Sequence, residues 1–511
     1  GYGHPAEYPL SFRFAQTRMD CMPSRTTILI AGFAAVLAFS APARAQTAAT
    51  DGIELATCEL LVPGTPLSVV GQCGWLEVPE NPGASDGRQI RIHVARVPAT
   101  GRVTEPDPLV FFAGGPGQAA TETWPMVAGA LRKVNESRDI LLVDQRGTGK
   151  SHPLKCPQVE LEEALVADWD QVADQTRQCL AALDADPRYY TTTIAMHDID
   201  AARRALGYET VNLYGGSYGT RAAQVYYRLF PDQVRSIVLD GVVPQTLGLG
   251  TEHAVKLDQA VYRVLAACEA DADCAQRFPD TGNKLRELLR HAVEHPVDVT
   301  IEHPSTGEPV TLRFEREVLA SALRFLSYSP ETQAMLPMLI HEAATEQRFD
   351  RLASQMMITA TGLQQTIARG MEMSVMCAED YPLFPTTIEP NDTLLGTLMN
   401  EVVRVQCGVW PAGAVPNDFH EPVTGDVPVL LLSGEYDPVT PPEYGDVVAA
   451  HFERATHLVA PGQAHIVATR GCMGDLVSTF VIDGAADNLD TGCLAQLERS
   501  PFFHTLTGPA P

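Results

Sequence analysis

Gly215-Gly216-Ser217-Tyr218-Gly219 follows a mostly apolar stub, Val211-Asn212-Leu213-Tyr214, and runs into Thr220-Arg221-Ala222-Ala223, which reads as the start of a helix. This is a G-x-S-x-G pattern on a strand-to-helix turn, where a serine is held on a sharp elbow with its hydroxyl presented outward. Glycines flank the serine because side chains there would collide with the turn. The helix beginning at the serine aims its free N–H groups and the positive end of its dipole at whatever the oxygen attacks. A chain of this length meets the pattern by accident roughly one time in five or six, so the serine needs partners elsewhere.

A serine hydroxyl is unreactive at neutral pH until a base takes its proton, and the base needs an acid to orient it. On this kind of elbow the chain order is Ser, then Asp or Glu, then His. Leu430-Leu431-Leu432 reads as a strand ending at Ser433-Gly434-Glu435-Tyr436-Asp437-Pro438-Val439-Thr440-Pro441. Asp437 therefore falls on a loop at a strand's carboxyl end, the edge that also carries the elbow. After the next strand comes Pro461-Gly462-Gln463-Ala464-His465. Ser217, Asp437 and His465 are expected to form a catalytic triad. Glu435 competes for the role of acid but lies closer to the strand and its glycine turn; His451 and His457 precede or lie in the following strand and make poor bases. Oxyanion donors are expected from the amide after the nucleophile, Tyr218, and from the glycine loop in Phe111-Phe112-Ala113-Gly114-Gly115-Pro116-Gly117-Gln118. Gly115 is the preferred donor there, with Gly114 next.

From 73 to about 245, short apolar runs alternate with helical stretches. Strands are predicted at 74–78, 90–97, 109–112, 140–143, 211–214 and 236–239, and helices at 124–134 and 196–206, the latter closed by Gly207. Such alternation implies an α/β fold, a mostly parallel doubly wound sheet covered on both faces, with an antiparallel edge at its β-rich opening. Between about 246 and 425 the strand rhythm is lost. Helices are predicted at 252–269, 282–295, 315–326, 332–344, 352–370 and 392–405, with one strand pair around 297–313. Strands return at 427–434 and 455–459. The expected organisation is a leader and signal peptide over 1–45, a first core part over 46–245, an inserted helical cap over 246–425 and a second core part over 426–511.

Lys plus Arg number 37 against 63 Asp plus Glu among 511 residues, a formal net charge of −26. Nucleic acid and anionic membrane surfaces are poor partners for such a chain. From Met22 the sequence reads as an export signal: Arg25 supplies the positive start, 28–39 the apolar run, and Ala43-Arg44-Ala45 the small-x-small cleavage site. The apolar run is short for a bilayer span, so a secreted or periplasmic chain cleaved after Ala45 is expected, with no membrane association beyond export; an uncleaved membrane anchor is the alternative. Ten of the 11 cysteines lie after that site and fall in neighbouring couples: Cys58/Cys73, Cys156/Cys179, Cys268/Cys274, Cys377/Cys407 and Cys472/Cys493. In an exported chain these read as local disulfides worth about 2–4 kcal/mol each. Order alone does not fix the pairing. No C-x-x-C pair favours zinc, and no metal or organic cofactor is expected.

With these residues in hand, the chain resembles the proline iminopeptidase and tripeptidyl aminopeptidase group of α/β-hydrolase serine peptidases. The matching pieces are Gly114-Gly115-Pro116-Gly117, Asp144-Gln145-Arg146-Gly147-Thr148-Gly149-Lys150-Ser151, 215–219, Asp437-Pro438-Val439-Thr440-Pro441 and 462–465. The resemblance implies the α/β-hydrolase fold with a helical cap, the same three triad residues, and a Gly-Gly-Pro-Gly loop that supplies an oxyanion amide. Arg146 is expected in a buried ion pair. The cysteine-bearing segments Cys377-Ala378-Glu379-Asp380 and Cys407-Gly408-Val409-Trp410-Pro411 are similar to the secreted, tripeptidyl-type branch. The family's histidine ahead of the glycine loop is Ala113 here, and the tryptophan- and glutamate-rich cap motif of small proline iminopeptidases is absent. An exopeptidase must read a free α-ammonium, which calls for carboxylates; Glu379 and Asp380 are the candidates, with a solvated pair as the bland reading. The expected function is a secreted serine aminopeptidase of prolyl or tripeptidyl type acting on peptides. A carboxylic ester hydrolase acting on small acyl substrates is the alternative, and a non-catalytic binding protein on the same fold the remote one.

Overall fold

The computed structural model describes residues 52–157, 159, 168–387 and 392–506; the expected leader, 1–45, lies outside them. Strands β1 (Ala56–Leu61), β2 (Ser68–Pro79), β3 (Gln89–Val97), β4 (Leu109–Phe112), β5 (Ile140–Val143), β6 (Val211–Gly216) and β7 (Val234–Asp240) come first. A hairpin follows, β8 (Val297–Glu302) with β9 (Pro309–Phe314), and then β10 (Gly425–Gly434) and β11 (Phe452–Ala460). All but the hairpin join one sheet in the order β1-β2-β3-β5-β4-β6-β7-β10-β11. Pairing is antiparallel from β1 through β3 to β5 and parallel from β5 to β11.

The central strands read as unbroken apolar runs because both faces are covered. Every residue of β4, β5 and β6 is buried, and successive side chains enter opposite cores. Val110, Phe112, Leu213, Val429 and Leu431 point to one; Leu109, Phe111, Tyr214, Leu430 and Leu432 point to the other. Helices Thr192–Ala205 and Tyr218–Leu229 cover the first face, and Ala120–Val127 and Met473–Asp483 the second.

Between β7 and β10 the helices His253–Ala270, Thr281–Glu294, Arg316–Leu326, Leu336–Glu346 and Phe349–Gln364 close with the hairpin around a separate core that includes Leu257, Val261, Leu285, Leu319, Leu323, Leu339 and Met356. Several boundaries differ from the sequence reading. The run 352–370 is not one helix: it stops at Gln364 and restarts at Arg369, because Ile367 pairs across to Gln118 and the amide of Ala368 donates to the carbonyl of Gly117. The run 124–134 splits into Ala120–Val127 and Arg132–Ser137, and 392–405 becomes Leu398–Cys407. β1 was not read from sequence, since four of its six residues are exposed and give no apolar signal.

All five cysteine couples form disulfides. Arg146 is buried, and its guanidinium donates to both carboxylate oxygens of Asp198 at 2.7 and 2.8 Å and to the carbonyl of Glu80 at 2.7 Å. This ion pair holds the Asp-Gln-Arg-Gly loop at the carboxyl end of β5.

Candidate active site

Ser217 sits between β6 and the helix Tyr218–Leu229 with φ 56° and ψ −124°. The turn needs glycine on both sides. A Cβ at Gly215 would stand 2.2 Å from the carbonyl oxygen of Gly219, and one at Gly219 would stand 2.2 Å from that of Phe112. Gly216, between them, has no such contact. The glycine loop after β4 lies against the serine: a Cβ on Gly114 would be 3.1 Å from Cβ of Ser217. Gly115, with φ +104°, follows directly, and Tyr218 opens the helix whose dipole points at the same place.

Asp437 and His465 come from the loops after β10 and β11. Nδ1 of His465 is 2.8 Å from Oδ2 of Asp437. The carboxylate is fixed by its own loop: Oδ1 accepts the amides of Val439 at 2.9 Å and Thr440 at 2.8 Å, and Oδ2 accepts the Thr440 hydroxyl at 2.7 Å. Glu435 faces elsewhere and accepts the amide of Gly462 at 2.9 Å. Burial pushes Asp437 up, but the imidazole and the two amides outweigh it, so the carboxyl lies below its ordinary 3.8. Burial likewise pushes His465 down, and Asp437, aided by Asp240, reverses that and leaves the imidazole above 6.5. Each group thus favours the charged form of the other.

The serine and histidine arms meet through the end of β7. The amide of Ser217 donates to the carbonyl of Asp240 at 2.8 Å. The next residue, Gly241 (φ +71°), faces the histidine so closely that a Cβ there would be 3.1 Å from Cε1 of His465. From the inserted helical segment, Tyr328 accepts the His465 amide on its carbonyl at 3.2 Å and sets its ring edge-on to the imidazole, centroids 5.4 Å apart. Thr440 and Tyr328 were not picked out from sequence as touching the histidine. Thr440 lay inside the quoted Asp-Pro-Val-Thr-Pro motif; Tyr328 carried no signal at all.

Glu379 and Asp380 are both fully buried. Glu379 accepts the amide of Thr192 at 2.6 Å and its hydroxyl at 2.7 Å, and that hydroxyl is 2.5 Å from the Tyr218 hydroxyl. Asp380 pairs with Arg221 of the Tyr218–Leu229 helix at 2.5 Å and accepts the amide of Leu249 at 2.8 Å. Burial raises both carboxyls, Glu379 to about 7. Among the described residues no cluster of three or more His, Cys, Asp or Glu is placed to hold a metal ion.

The model of the alpha/beta hydrolase fold family matches residues 107–468. The chain belongs to the alpha/beta hydrolase family. This hydrolase is 24% identical over 485 residues to serine protease Hip1 of Mycobacterium tuberculosis, covering 86% of this chain and 91% of that one. It is 26% identical over 469 residues to tripeptidyl aminopeptidase of Streptomyces coelicolor, covering 84% of each. Among solved structures, proline iminopeptidase of Mycobacterium smegmatis aligns at a TM-score of 0.41 with 17% identity, over 80% of this chain and 98% of that one. The protein is a serine hydrolase.

Proposed function

We propose that this hydrolase is an exported serine aminopeptidase of prolyl or tripeptidyl type, with Ser217 as nucleophile, His465 as base, Asp437 as orienting acid and the amides of Gly115 and Tyr218 as oxyanion donors. The observation that carries it is the 2.8 Å bond between His465 and Asp437 at the sheet edge that bears the Ser217 elbow. Oγ of Ser217 adds to the scissile carbonyl carbon while His465 takes its proton, and the carbonyl pair moves onto the oxygen held by the two amides. The C–N bond then breaks and the leaving amine receives the proton from His465. Water, deprotonated in turn by His465, releases the acyl group, and Asp437 stays ionised throughout.

Peptide rather than other acyl chemistry is supported by the two relatives named above, each aligned over more than four-fifths of this chain. Chain ends rather than internal bonds are supported by the inserted segment, which touches Gly117 through Ala368 and His465 through Tyr328 and so roofs the site from two sides. Export is supported by five disulfides, which persist in oxidising compartments. Ester hydrolysis by the same residues is the second reading. It is favoured by the burial of Glu379 and Asp380, in which core donors take both oxygens of Glu379 and Oδ1 of Asp380.

A panel of aminoacyl and tripeptidyl coumarins, free or acetylated at the N-terminus, run beside nitrophenyl esters separates the two. Turnover of free peptides that disappears on acetylation is expected. Ester turnover without amide turnover would defeat the peptidase reading.

A further inference from the structure

Asp240 ends β7, the strand between the one that carries Ser217 and the one that leads to Asp437. It is fully buried and takes no part in the proton transfers above. Its main-chain carbonyl accepts the amide of Ser217 at 2.8 Å. Its carboxyl reaches the other way. Oδ1 accepts the amide of Val467 at 2.9 Å, and Oδ2 accepts the amide of Ala468 at 2.8 Å and the hydroxyl of Tyr214 at 2.7 Å. Val467 and Ala468 lie two and three residues beyond His465, on the same loop. The neighbouring amide of Gly241 donates to the carbonyl of Leu432 at 2.9 Å, which ties the same point to β10 and the acid loop.

We infer that Asp240 is a positioning residue for the triad: its carbonyl fixes the nucleophile's elbow, its carboxyl fixes the histidine loop, and the residue between them sets how far His465 stands from Ser217. This rests on the triad reading given above. A carboxyl in a dry interior is costly unless its oxygens are filled with donors, and here two main-chain amides and a phenol fill them. Both amides belong to a loop that leaves β11 without further strand pairing, so the carboxyl supplies the anchor that the sheet does not. Gly241 completes the arrangement. Its missing side chain lets the imidazole approach within van der Waals contact, and Thr440 packs on the same spot, where a Cβ would meet Oγ1 at 3.0 Å.

The test is a double-mutant cycle on the purified enzyme with a hydrolysed peptidyl coumarin. D240N keeps the shape but turns one acceptor into a donor that faces an amide or the phenol. Its kcat is expected to fall about 10²-fold, the scale of a displacement near 1 Å at a reacting group, with KM within about twofold. In an H465A background the same substitution should add less than about twofold, because groups acting through one residue are not additive. A folded D240N enzyme with wild-type kcat, or losses that multiply in the double variant, would overturn the inference. Should D240N fail to fold, Y214F decides in its place. It removes one donor and leaves both amide bonds; a lowered kcat that vanishes in the H465A background supports the role, and an unchanged kcat rejects it. S217A is run alongside. Turnover surviving S217A strikes the triad reading itself, whereas a dead S217A enzyme with a silent D240N strikes only Asp240.

Discussion

As the base of the proposed triad, His465 accepts a proton only when neutral, so its surroundings would set the pH at which the enzyme can run. Asp437 and Asp240 hold the imidazole above its ordinary 6.5 against the opposing pull of burial. The acid limb of kcat/KM is therefore expected above pH 6.5 on a peptidyl coumarin, and a limb below that value would contradict the arrangement. Burial pushes the nearby His253 down to about 3, so it stays neutral and does not contribute to that limb. D437N should lower kcat about 10⁴-fold by freeing the wrong tautomer of His465. E435Q, whose side chain accepts the Gly462 amide, should leave kcat close to that of the parent. These two carboxylates stand two residues apart, and position relative to the strand end was enough to choose between them. Tyr328 and Asp240 could not be chosen that way. Their roles come from contacts with a histidine far along the chain, and neither has a neighbouring pattern that announces it.

At the level of elements, the sheet was readable because its central strands are buried on both faces and advertise themselves as apolar runs between turns. Edge strand β1 shows water most of its side chains and stayed hidden. The helix expected through 365–368 is interrupted by a turn at 365–366, after which Ile367 and Ala368 pair with the loop beside Ser217. Tertiary contact overrode a helical pattern there, as propensity alone permits. The inserted helices are joined to the Tyr218–Leu229 helix by the Asp380–Arg221 pair, in which neither side chain touches solvent. Removing one member strands the other charge, so D380N should cost about 3–5 kcal/mol in urea unfolding. Full stability in D380N would show that the joint lies elsewhere. The Cys377–Cys407 bridge flanks the same joint.

For the molecule as a whole, a formal charge of −26 sets a field that extends beyond any single contact. Association with a lysine-rich peptide should weaken severalfold in kcat/KM as ionic strength rises from about 0.01 to about 0.15 M and the Debye length shrinks from about 30 to about 8 Å. A neutral peptide of equal length should show no such slope, and matching slopes would remove steering as the cause. Stability has its own pH signature. Glu379, ordinarily near 4.5, is pushed to about 7 in the fold. The folded chain therefore keeps a proton that the unfolded chain has released, and stability falls as pH climbs from about 4.5 through about 7. Melting temperatures of E379Q should decline less over that window than those of the parent; parallel curves would assign the proton to another group.

The order of the strands also decides when the protein becomes chemically competent. β7 lies beside β10, although the entire inserted segment is synthesised between them. A growing chain therefore carries Ser217 long before the ribosome has supplied Asp437 or His465, the acid and base of the proposed triad. On the proposed triad, the alcohol of Ser217 lacks its base and its orienting acid until residues 425–468 have emerged and docked.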